Sequence, residues 1–499
     1  TMLDQNVTVI ESIIGSSNYD IGHVFSTGGG GIAGLGVVCG NNKAYGVTGQ
    51  ANPIGDPFSI DYVAHEIGHQ FGGSHTFNSC GGQGSKPYEP GSGVTIMAYA
   101  GICNNTNLQS NSIDQFHVAS FDEIIAFSQN ANGNTCAVIT ETGNTPPIVD
   151  VGEGGFYIPY QTPFELTGTA SDLDGDSLTY CWEQFDLGPN THPDIPVENA
   201  PLFRSWKPVD HGTRIFPRIQ DLKSNRQTIG ELLPQFGREM NFRMTVRDNA
   251  PEGGGVDYDH LSFHVADNAG PFEVVVPNSG ETWQVGYLEP VTWNVANTDQ
   301  MPVNCQRVDI YLSEDGGDTY PHLIADNVVN DGFEIIQVPN ITGNNLRIKI
   351  KAAENVFFDI SNQNFSINPS DTPDFVFAPN TIVQSICDTE IADYEVRIDT
   401  ILGYSDTLHL SIDDNPEGTK VVFSDNDISG PGNVSISVSR TGMAMAGDYI
   451  MTLKVQSDTI VKELPLNLII RDGVPASTVL TFPDNGLTGF EPFSSMRWD

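Results

Sequence analysis

The chain has 499 residues, with 22 lysines and arginines against 63 aspartates and glutamates, and a formal net charge of −41. At ~150 residues per domain, this length predicts three or four domains. So acidic a surface repels phosphate backbones and anionic lipid headgroups, and no apolar run reaches the ~18 residues that a membrane span needs. We therefore expect neither nucleic acid nor a membrane as a partner.

The chain opens on an amphipathic helix pattern over its first 14 residues, and no signal peptide precedes it. A glycine-rich stretch follows at 28–31, and then an apolar strand is predicted over 32–38. Two more helix patterns lie at about 58–71 and 113–130. The first 142 residues are therefore expected to be mixed α and β.

Four of the seven cysteines fall in this region, at Cys39, Cys80, Cys103 and Cys136. None belongs to a C-x-x-C pair, which disfavours a zinc ribbon or a thioredoxin-type motif. Widely spaced cysteines in even number favour two disulfides in an exported protein. Spacing alone leaves all three pairings open. Because an exported chain needs a signal, Thr1 is expected to be an internal residue of a longer precursor.

One predicted helix carries a candidate metal site. His65 and His69 are four residues apart and share a helix face, so both imidazoles can reach one zinc ion. Glu66, beside them, is placed to act as a base. Gly72 allows the sharp turn that ends the helix and returns His75 as a third ligand. Three protein ligands leave an open coordination position, which indicates a catalytic rather than a structural zinc.

A bare H-E-x-x-H also arises by chance, where helix histidines make ordinary hydrogen bonds. The full H-E-x-x-H-x-x-G-x-x-H pattern is far more specific, and it resembles that of the metzincins. Their second mark is a methionine turn, which Thr95-Ile96-Met97-Ala98-Tyr99 resembles. The resemblance implies that Met97 is the apolar floor under the imidazoles; the alternative is an ordinary core methionine.

Within the metzincins, residues 1 to about 140 are most similar to the reprolysin-like (adamalysin-type) group, in its bacterial secreted branch. Tyr19-Asp20-Ile21-Gly22-His23 and Gly31-Ile32-Ala33-Gly34 carry this likeness. The group has further strands and a helix before this point, so the N-terminal part of the domain is expected to be missing. The resemblance implies the disulfides Cys39–Cys136 and Cys80–Cys103. It also aligns Asp20 with a calcium ligand, against the alternative of a capping or solvated aspartate.

Two positions depart from the reprolysin-like pattern. Thr76, followed by Phe77, stands where that group usually has aspartate, and this is nearer the pappalysin pattern. Tyr99 resembles the tyrosine of astacins and serralysins, which contacts zinc or the transition-state oxyanion. Tyr99 is therefore interpreted either as a swinging zinc ligand or oxyanion donor, or as a wall residue of the cleft.

From Pro146 the sequence changes to short alternating strands with regular turns, as in β-sandwiches. The predicted fold class is thus multidomain: an α/β metzincin catalytic domain, then all-β sandwich modules. A repeat of the Val276-to-Trp293 pattern near the C-terminus predicts the start of one more module. The predicted domains are a metzincin zinc metallopeptidase domain at 1–142, a PKD/cadherin-like sandwich at 143–268, an immunoglobulin/fibronectin-like sandwich at 269–368, a β-sandwich at 369–473, and the first hairpin of a truncated module at 474–499.

An acidic turn in the first sandwich resembles those of PKD (polycystic-kidney-disease-type) and cadherin-like modules. Carboxylates two residues apart on a glycine-containing turn can share one calcium ion. The predicted ligands are Asp172, Asp174 and Asp176, with Asp248 completing the set from a neighbouring strand. The alternative is a solvated acidic turn.

These observations predict a secreted or cell-surface zinc metalloendopeptidase. Its substrate would be a protein or peptide bound in extended form along the strand at 32–38. Zn²⁺ is the expected cofactor, and Ca²⁺ a second metal. The alternative is an adhesin or substrate-binding surface protein with a vestigial protease domain, against which the intact Glu66 argues. The sandwiches are expected to be spacers, or to bind extracellular matrix or polysaccharide, although no aromatic platform is evident.

Overall fold

The computed structural model describes residues 1–251, 253–379 and 382–471, together with the backbone of 480–482 and 497–498. It forms two compact units. The first contains residues 1–275 with segments 293–306 and 349–363, and the second contains the remainder. An α/β N-terminal region is followed by a large all-β region. The fold class predicted from the sequence is confirmed at this level.

The N-terminal region has few regular elements. Its helices are α1 (Met2–Ile13), α2 (Gly55–Phe58), α3 (His65–Gln70) and α4 (Val118–Asn130), with a π-helical segment, Ser59–Ala64, leading into α3. Short 3-10 turns lie at Ser16–Asn18, Asn104–Thr106 and Asn132–Asn134. Thr1 and Asp4 form a capping box at the start of α1, which explains why the helix begins there. The three predicted helices are all present.

The same region contains one three-stranded sheet, in the order β1 (Val24–Ser26), β3 (Gly46–Gly49), β2 (Gly30–Ala33). β2 runs antiparallel to β3 at the edge of this sheet. The strand predicted over 32–38 is wrong in its bounds, since β2 ends at Ala33. The amides of Gly36 and Val37 instead donate to the carbonyls of His69 and Gln70, at 2.9 Å each. This segment therefore caps the end of α3 rather than extending the sheet.

Two disulfides close the region. Cys39 is bonded to Cys136 and Cys80 to Cys103, with Cα atoms 5.4 and 4.8 Å apart. This is the pairing that the family resemblance implied. The first bond ties the segment after β2 to the chain just beyond α4.

The first sandwich belongs to the same unit. Its elements are β4 (Ile148–Asp150), β5 (Tyr157–Pro159), β6 (Phe164–Thr167), β7 (Thr169–Ser171), β8 (Thr179–Gln184), β9 (Thr213–Phe216), α5 (Ile219–Ser224), β10 (Arg238–Arg247) and β11 (Val256–Ala266). The main sheet has the order β5-β11-β10-β8, beside the pairs β4-β7 and β6-β9. Its core is a cluster of fully or almost fully buried phenylalanines: Phe164, Phe203, Phe216, Phe242 and Phe263.

Some of the next strands, such as β15, alternate more and less buried residues as the sequence predicts, whereas β18 is buried over consecutive positions. They are β12 (Glu273–Val276), β13 (Thr282–Gln284), β14 (Leu288–Asn294), β15 (Arg307–Ser313), β16 (His322–Val329), β17 (Phe333–Gln337), β18 (Gly343–Ala352), β19 (Phe358–Ile360) and β20 (Phe365–Asn368). In the second unit β13 pairs with β20 in parallel, and β15 pairs with β16 antiparallel.

The last sandwich, within the second unit, packs two sheets. Its strands are β21 (Asp374–Pro379), β22 (Val383–Cys387), β23 (Ala392–Ile401), β24 (Thr407–Asp413), β25 (Lys420–Phe423), β26 (Asp427–Ser429), β27 (Gly432–Ser439), β28 (Gly447–Gln456) and β29 (Val461–Arg471), with a 3-10 turn at Thr441–Met443. The sheet orders are β21-β23-β27-β25 and β22-β29-β28-β24-β26. A single apolar cluster fills the space between them.

Beyond this sandwich, β30 (Leu480–Phe482) and β31 (Arg497–Trp498) pair antiparallel. The rest of the hairpin predicted at 474–499 lies outside the described residues. Across the part of the chain that is described, none of the helices has the length and apolar character needed to span a bilayer.

Candidate metal centre and active site

Three histidines converge at the end of α3. His65 and His69 lie on one face of this helix, and Gly72, at φ 92°, turns the chain back. A Cβ at Gly72 would lie 3.2 Å from the Cβ of Phe127, so both conformation and space favour glycine there. The returning chain brings Nε2 of His75 to 3.3 Å from that of His65 and 3.0 Å from that of His69.

The outer nitrogens of two of these rings are held by the backbone. Nδ1 of His65 donates to the carbonyl of Ile96 at 2.6 Å, and Nδ1 of His69 donates to that of Gly73 at 2.7 Å. These bonds fix the tautomer and leave Nε2 free to bind a metal. A tetrahedral zinc with Zn–N bonds of about 2.0–2.1 Å sets its nitrogen ligands ~3.3 Å apart. The three imidazoles therefore fit zinc.

The electrostatics agree with metal binding. Burial, with the imidazole of His69 adding to it, lowers the pKa of His65 to about 3 and that of His75 to about 4. Burial also lowers the pKa of His69. All three rings are therefore neutral near pH 7, and the neutral imidazole is the form that binds a metal.

Glu66 lies beside the histidines in an apolar, desolvated position. It is 6% exposed, and its Oε2 is buried without a hydrogen-bond partner. Burial raises the pKa of this carboxyl to about 7. The side chain packs directly on β2, because a Cβ added to Gly31 would lie 2.2 Å from Oε1. The structure thus brings the predicted base between the three histidines and the edge strand.

Met97 is fully buried behind the helix. Its Sδ would lie 2.4 Å from a Cβ at Gly68, between the two helical histidines, and its carbonyl accepts from the amide of Thr76 at 3.1 Å. The methionine turn therefore packs against α3 and is hydrogen-bonded to Thr76, the residue after His75.

Tyr99 covers the same group of rings. Its ring centroid lies 4.5 Å from that of His75, 5.6 Å from that of His65 and 4.6 Å from that of Phe77. Burial, with the Glu66 carboxylate adding to it, raises the pKa of its phenol. This position suits both interpretations made from the sequence, and the role of Tyr99 stays a prediction.

A buried carboxylate that the sequence pattern did not reveal organises the methionine turn. Glu89 is 1% exposed; its Oε2 accepts from the amides of Val94 at 2.7 Å and Thr95 at 3.1 Å. Its Oε1 accepts from the hydroxyls of Thr76, at 2.6 Å, and Thr95. Glu89 thus joins the residue after His75 to the methionine turn. Only the unusual Thr76 after the third histidine hinted that another acidic side chain was needed.

The predicted calcium ligands are only partly brought together. Ligand oxygens of Asp172, Asp174 and Asp176 lie within 4.8 Å of one another. Asp248 is outside this group, and its carboxylate accepts from Asn144 and from backbone amides. Asp172 accepts from the amides of Asp174 and Asp176, as a metal-free turn also would. Calcium here stays a prediction. So does calcium at Asp20, which is exposed and belongs to neither cluster of potential ligands found among the described residues.

Comparisons with known proteins bear on this region first. Residues 1–76 match the family model described as metallo-peptidase family M12B, reprolysin-like. Over these residues the chain is similar to reprolysin-like peptidases. The match includes Glu66 and all three histidines and ends before the methionine turn. A search of curated proteins found no match.

Solved structures also match parts of this chain. The four N-terminal immunoglobulin domains of Dscam1 isoform 8.4 match with 13% identity, over 65% of this chain and 78% of that one, at a TM-score of 0.22. The fibronectin(III)-like modules of Clostridium thermocellum CbhA match with 11% identity, over 40% and 95%, at 0.14. Domains 4 and 5 of the S-layer protein SbsC match with 15% identity, over 36% and 82%, at 0.16. Scores this low carry no argument about this chain.

Proposed function

We propose that this chain is an exported zinc metalloendopeptidase that hydrolyses peptide bonds within proteins. The observation that carries the proposal is the convergence of three imidazole Nε2 atoms beside the buried Glu66 carboxylate, under the edge strand β2. The reprolysin-like match over the same residues supports it. The two disulfides and the acidic surface agree with export.

The edge strand supplies the binding of an extended substrate. Among the described residues β2 pairs only with β3, so its other side can add a substrate strand through main-chain hydrogen bonds. Ile32, 58% exposed, gives this edge an apolar surface. Binding through the backbone favours unfolded or looped protein segments with little sequence selectivity.

Glu66 moves the proton. Its pKa of about 7 lets the carboxylate accept a proton from the attacking water and then give it to the leaving amine. Zinc, when bound, supplies Lewis acidity that polarises the carbonyl and makes the water more acidic. Tyr99, against two of the ligand rings, lines the same cleft and is proposed as a donor to the developing oxyanion or as a wall.

The test is Glu66→Gln, with Glu11→Gln on the exposed face of α1 as the control. General acid–base catalysis contributes roughly 10²- to 10⁴-fold, so casein or gelatin cleavage should fall by at least about 10²-fold. Zinc content should persist, because Glu66 is not a ligand. Unchanged cleavage by this variant would refute the assignment. Zinc binding by the native chain without any cleavage would favour the adhesin or binding-protein alternative instead.

A further inference from the structure

A carboxylate of the first sandwich is buried in the N-terminal region. Glu183, on β8, is 1% exposed. Its Oε2 accepts from the amide of Val118 at 2.8 Å, and its Oε1 accepts from Nε2 of Gln115 at 3.2 Å and from the hydroxyl of Ser205 at 2.7 Å. A buried charge needs such a set of donors, and two of these three donors belong to the N-terminal region.

One of these donors, the side chain of Gln115, leads to His65. The side chain of Gln115 donates to Glu183, and the backbone carbonyl of Gln115 accepts from the amide of Ile96 at 2.9 Å. The carbonyl of Ile96 accepts in turn from Nδ1 of His65 at 2.6 Å. The orientation of this imidazole is therefore connected to Glu183 by three consecutive hydrogen bonds.

The second donor leads to His69. Val118 is the first residue of α4, where a carboxylate interacts favourably with the helix dipole. Five residues further along α4, Glu123 accepts from the amide of Ser74 at 2.8 Å and from its hydroxyl at 2.9 Å. The residue before Ser74 is Gly73, whose carbonyl accepts from Nδ1 of His69.

Further contacts hold the sandwich against the N-terminal region. Asp122 accepts from Arg243 at 2.7 Å and from the phenol of Tyr258 at 2.9 Å, and the ring of Phe185 stacks on Tyr88 at 4.1 Å. The surface between the sandwich and the N-terminal region is thus specific and polar at its centre, unlike a flexible junction between independent modules.

We propose that Glu183 is a positioning residue of the metal centre, and that the first sandwich is an integral part of the peptidase rather than a spacer. The carboxylate fixes α4 and Gln115, and through them the carbonyls that orient His65 and His69. The proposal rests on the proposed function, because it assigns Glu183 to the same centre.

The test measures zinc affinity of the full chain by competition with a coloured chelator, with melting temperature recorded for each variant. Partners that orient metal ligands change affinity by roughly 10- to 100-fold. Because Glu183 acts on His65 through Gln115 and Ile96, we expect a smaller effect, and Glu183→Gln should weaken zinc binding about 3- to 10-fold. Glu239→Gln, an exposed change on β10 of the same sandwich, should leave the affinity unaltered. Equal affinities for Glu183→Gln and the native chain, or equal losses in both variants, would overturn the proposal.

Exchanging the two side chains separates positioning from general damage. Glu183→Gln combined with Gln115→Glu restores a carboxylate facing an amide, and it should bring zinc affinity back to within about twofold of the native value; failure to recover in a folded double variant would contradict the proposal. If Glu183→Gln does not fold, Gln115→Met replaces it in the test, because this change removes only the hydrogen-bonded route to His65. We expect about a threefold loss of zinc affinity, and an unchanged affinity would refute this route.

These measurements need no substrate. A loss of zinc affinity in a chain that cleaves no protein would support Glu183 and refute the proposed function. Cleavage by the native chain with an unaltered Glu183→Gln variant would do the reverse.

Discussion

The N-terminal region and the last sandwich differ in what fills their interiors. Between residues 374 and 471, within the described chain, one apolar cluster fills the core, and Thr441 is the one buried side chain outside the apolar, tyrosine and proline types. The first 120 residues instead bury many polar groups: Asn6, Lys43, Thr48, His65, Glu66, Gln70, Ser74, Thr76, Asn78, Glu89, Ser92, Thr95, Gln115, His117 and Ser120.

This difference agrees with the function that we propose for the N-terminal region. A sandwich needs only apolar volume on alternate positions, so its stability depends on packing. A metal centre needs imidazoles and carboxylates held in one arrangement, and each such buried group requires a partner. We therefore expect the N-terminal region to respond to metal and to polar substitutions, and the last sandwich to respond to lost volume.

Metal removal should show the largest contrast. Zinc at about 1,000 times its dissociation constant stabilises the fold that binds it by ~4 kcal/mol. A chelator should therefore lower the calorimetric transition of the N-terminal region by several degrees and stop proteolysis, while the last sandwich melts as before. Added zinc should reverse both effects. Equal shifts of both transitions would contradict the expectation that only the N-terminal region depends on metal.

Loss of buried side-chain volume should destabilise the last sandwich. Leu468 is fully buried on β29. Changing it to alanine is expected to lower the free energy of unfolding by about 2–5 kcal/mol, and only the last sandwich should melt at a lower temperature. Zinc affinity and casein cleavage should not change. The matched control is Val461→Ala on the same strand, where the side chain is 55% exposed and little stability should be lost. An equal loss in both variants would argue against a packing-dominated core.

Glu89→Gln probes the polar interior. The amide oxygen can still accept from Val94 and Thr95, but hydrogen bonds to a charged group are lost. This should lower the free energy of unfolding by about 1.5–3 kcal/mol. The transition of the N-terminal region should fall, and cleavage should fall with it as the methionine turn loosens. Calorimetry and a casein assay measure the two effects, with Glu11→Gln as the surface control. Full stability in Glu89→Gln would mean that the turn is held by other contacts.

Gly31→Ala should have the smallest effect on the free energy of unfolding and a selective effect on hydrolysis. The new Cβ would displace the Glu66 carboxylate, so cleavage should slow by about tenfold, or ~1.4 kcal/mol, with zinc affinity unchanged. Gly29→Ala is the matched control, because a Cβ there meets nothing within 4 Å. Equal rates for the two variants would show that Glu66 has room to move.

Much of the candidate metal centre could be predicted from the sequence, because the patterns that indicate it are local. The spacing of His65, His69 and His75 about Gly72 depends on helix geometry and one turn, and the strand patterns of the sandwiches depend on period-two alternation. The sequence did not predict that β2 ends at Ala33. Gly36 and Val37 cap α3 through a tertiary contact, so their segment leaves the sheet although its apolar residues favour a strand.

The sequence by itself predicted the three histidines as metal ligands and Glu66 as the base, and it determined the change from mixed α/β to all-β structure. Only the tertiary structure decided that Glu89 organises the methionine turn, that Glu66 packs on Gly31, and that Asp248 is outside the acidic cluster. It also placed Glu183, from another module, within three hydrogen bonds of His65. The physical reason is distance along the chain: periodicity fixes neighbours within a few residues, whereas the partner of a buried charge is set by how distant segments pack.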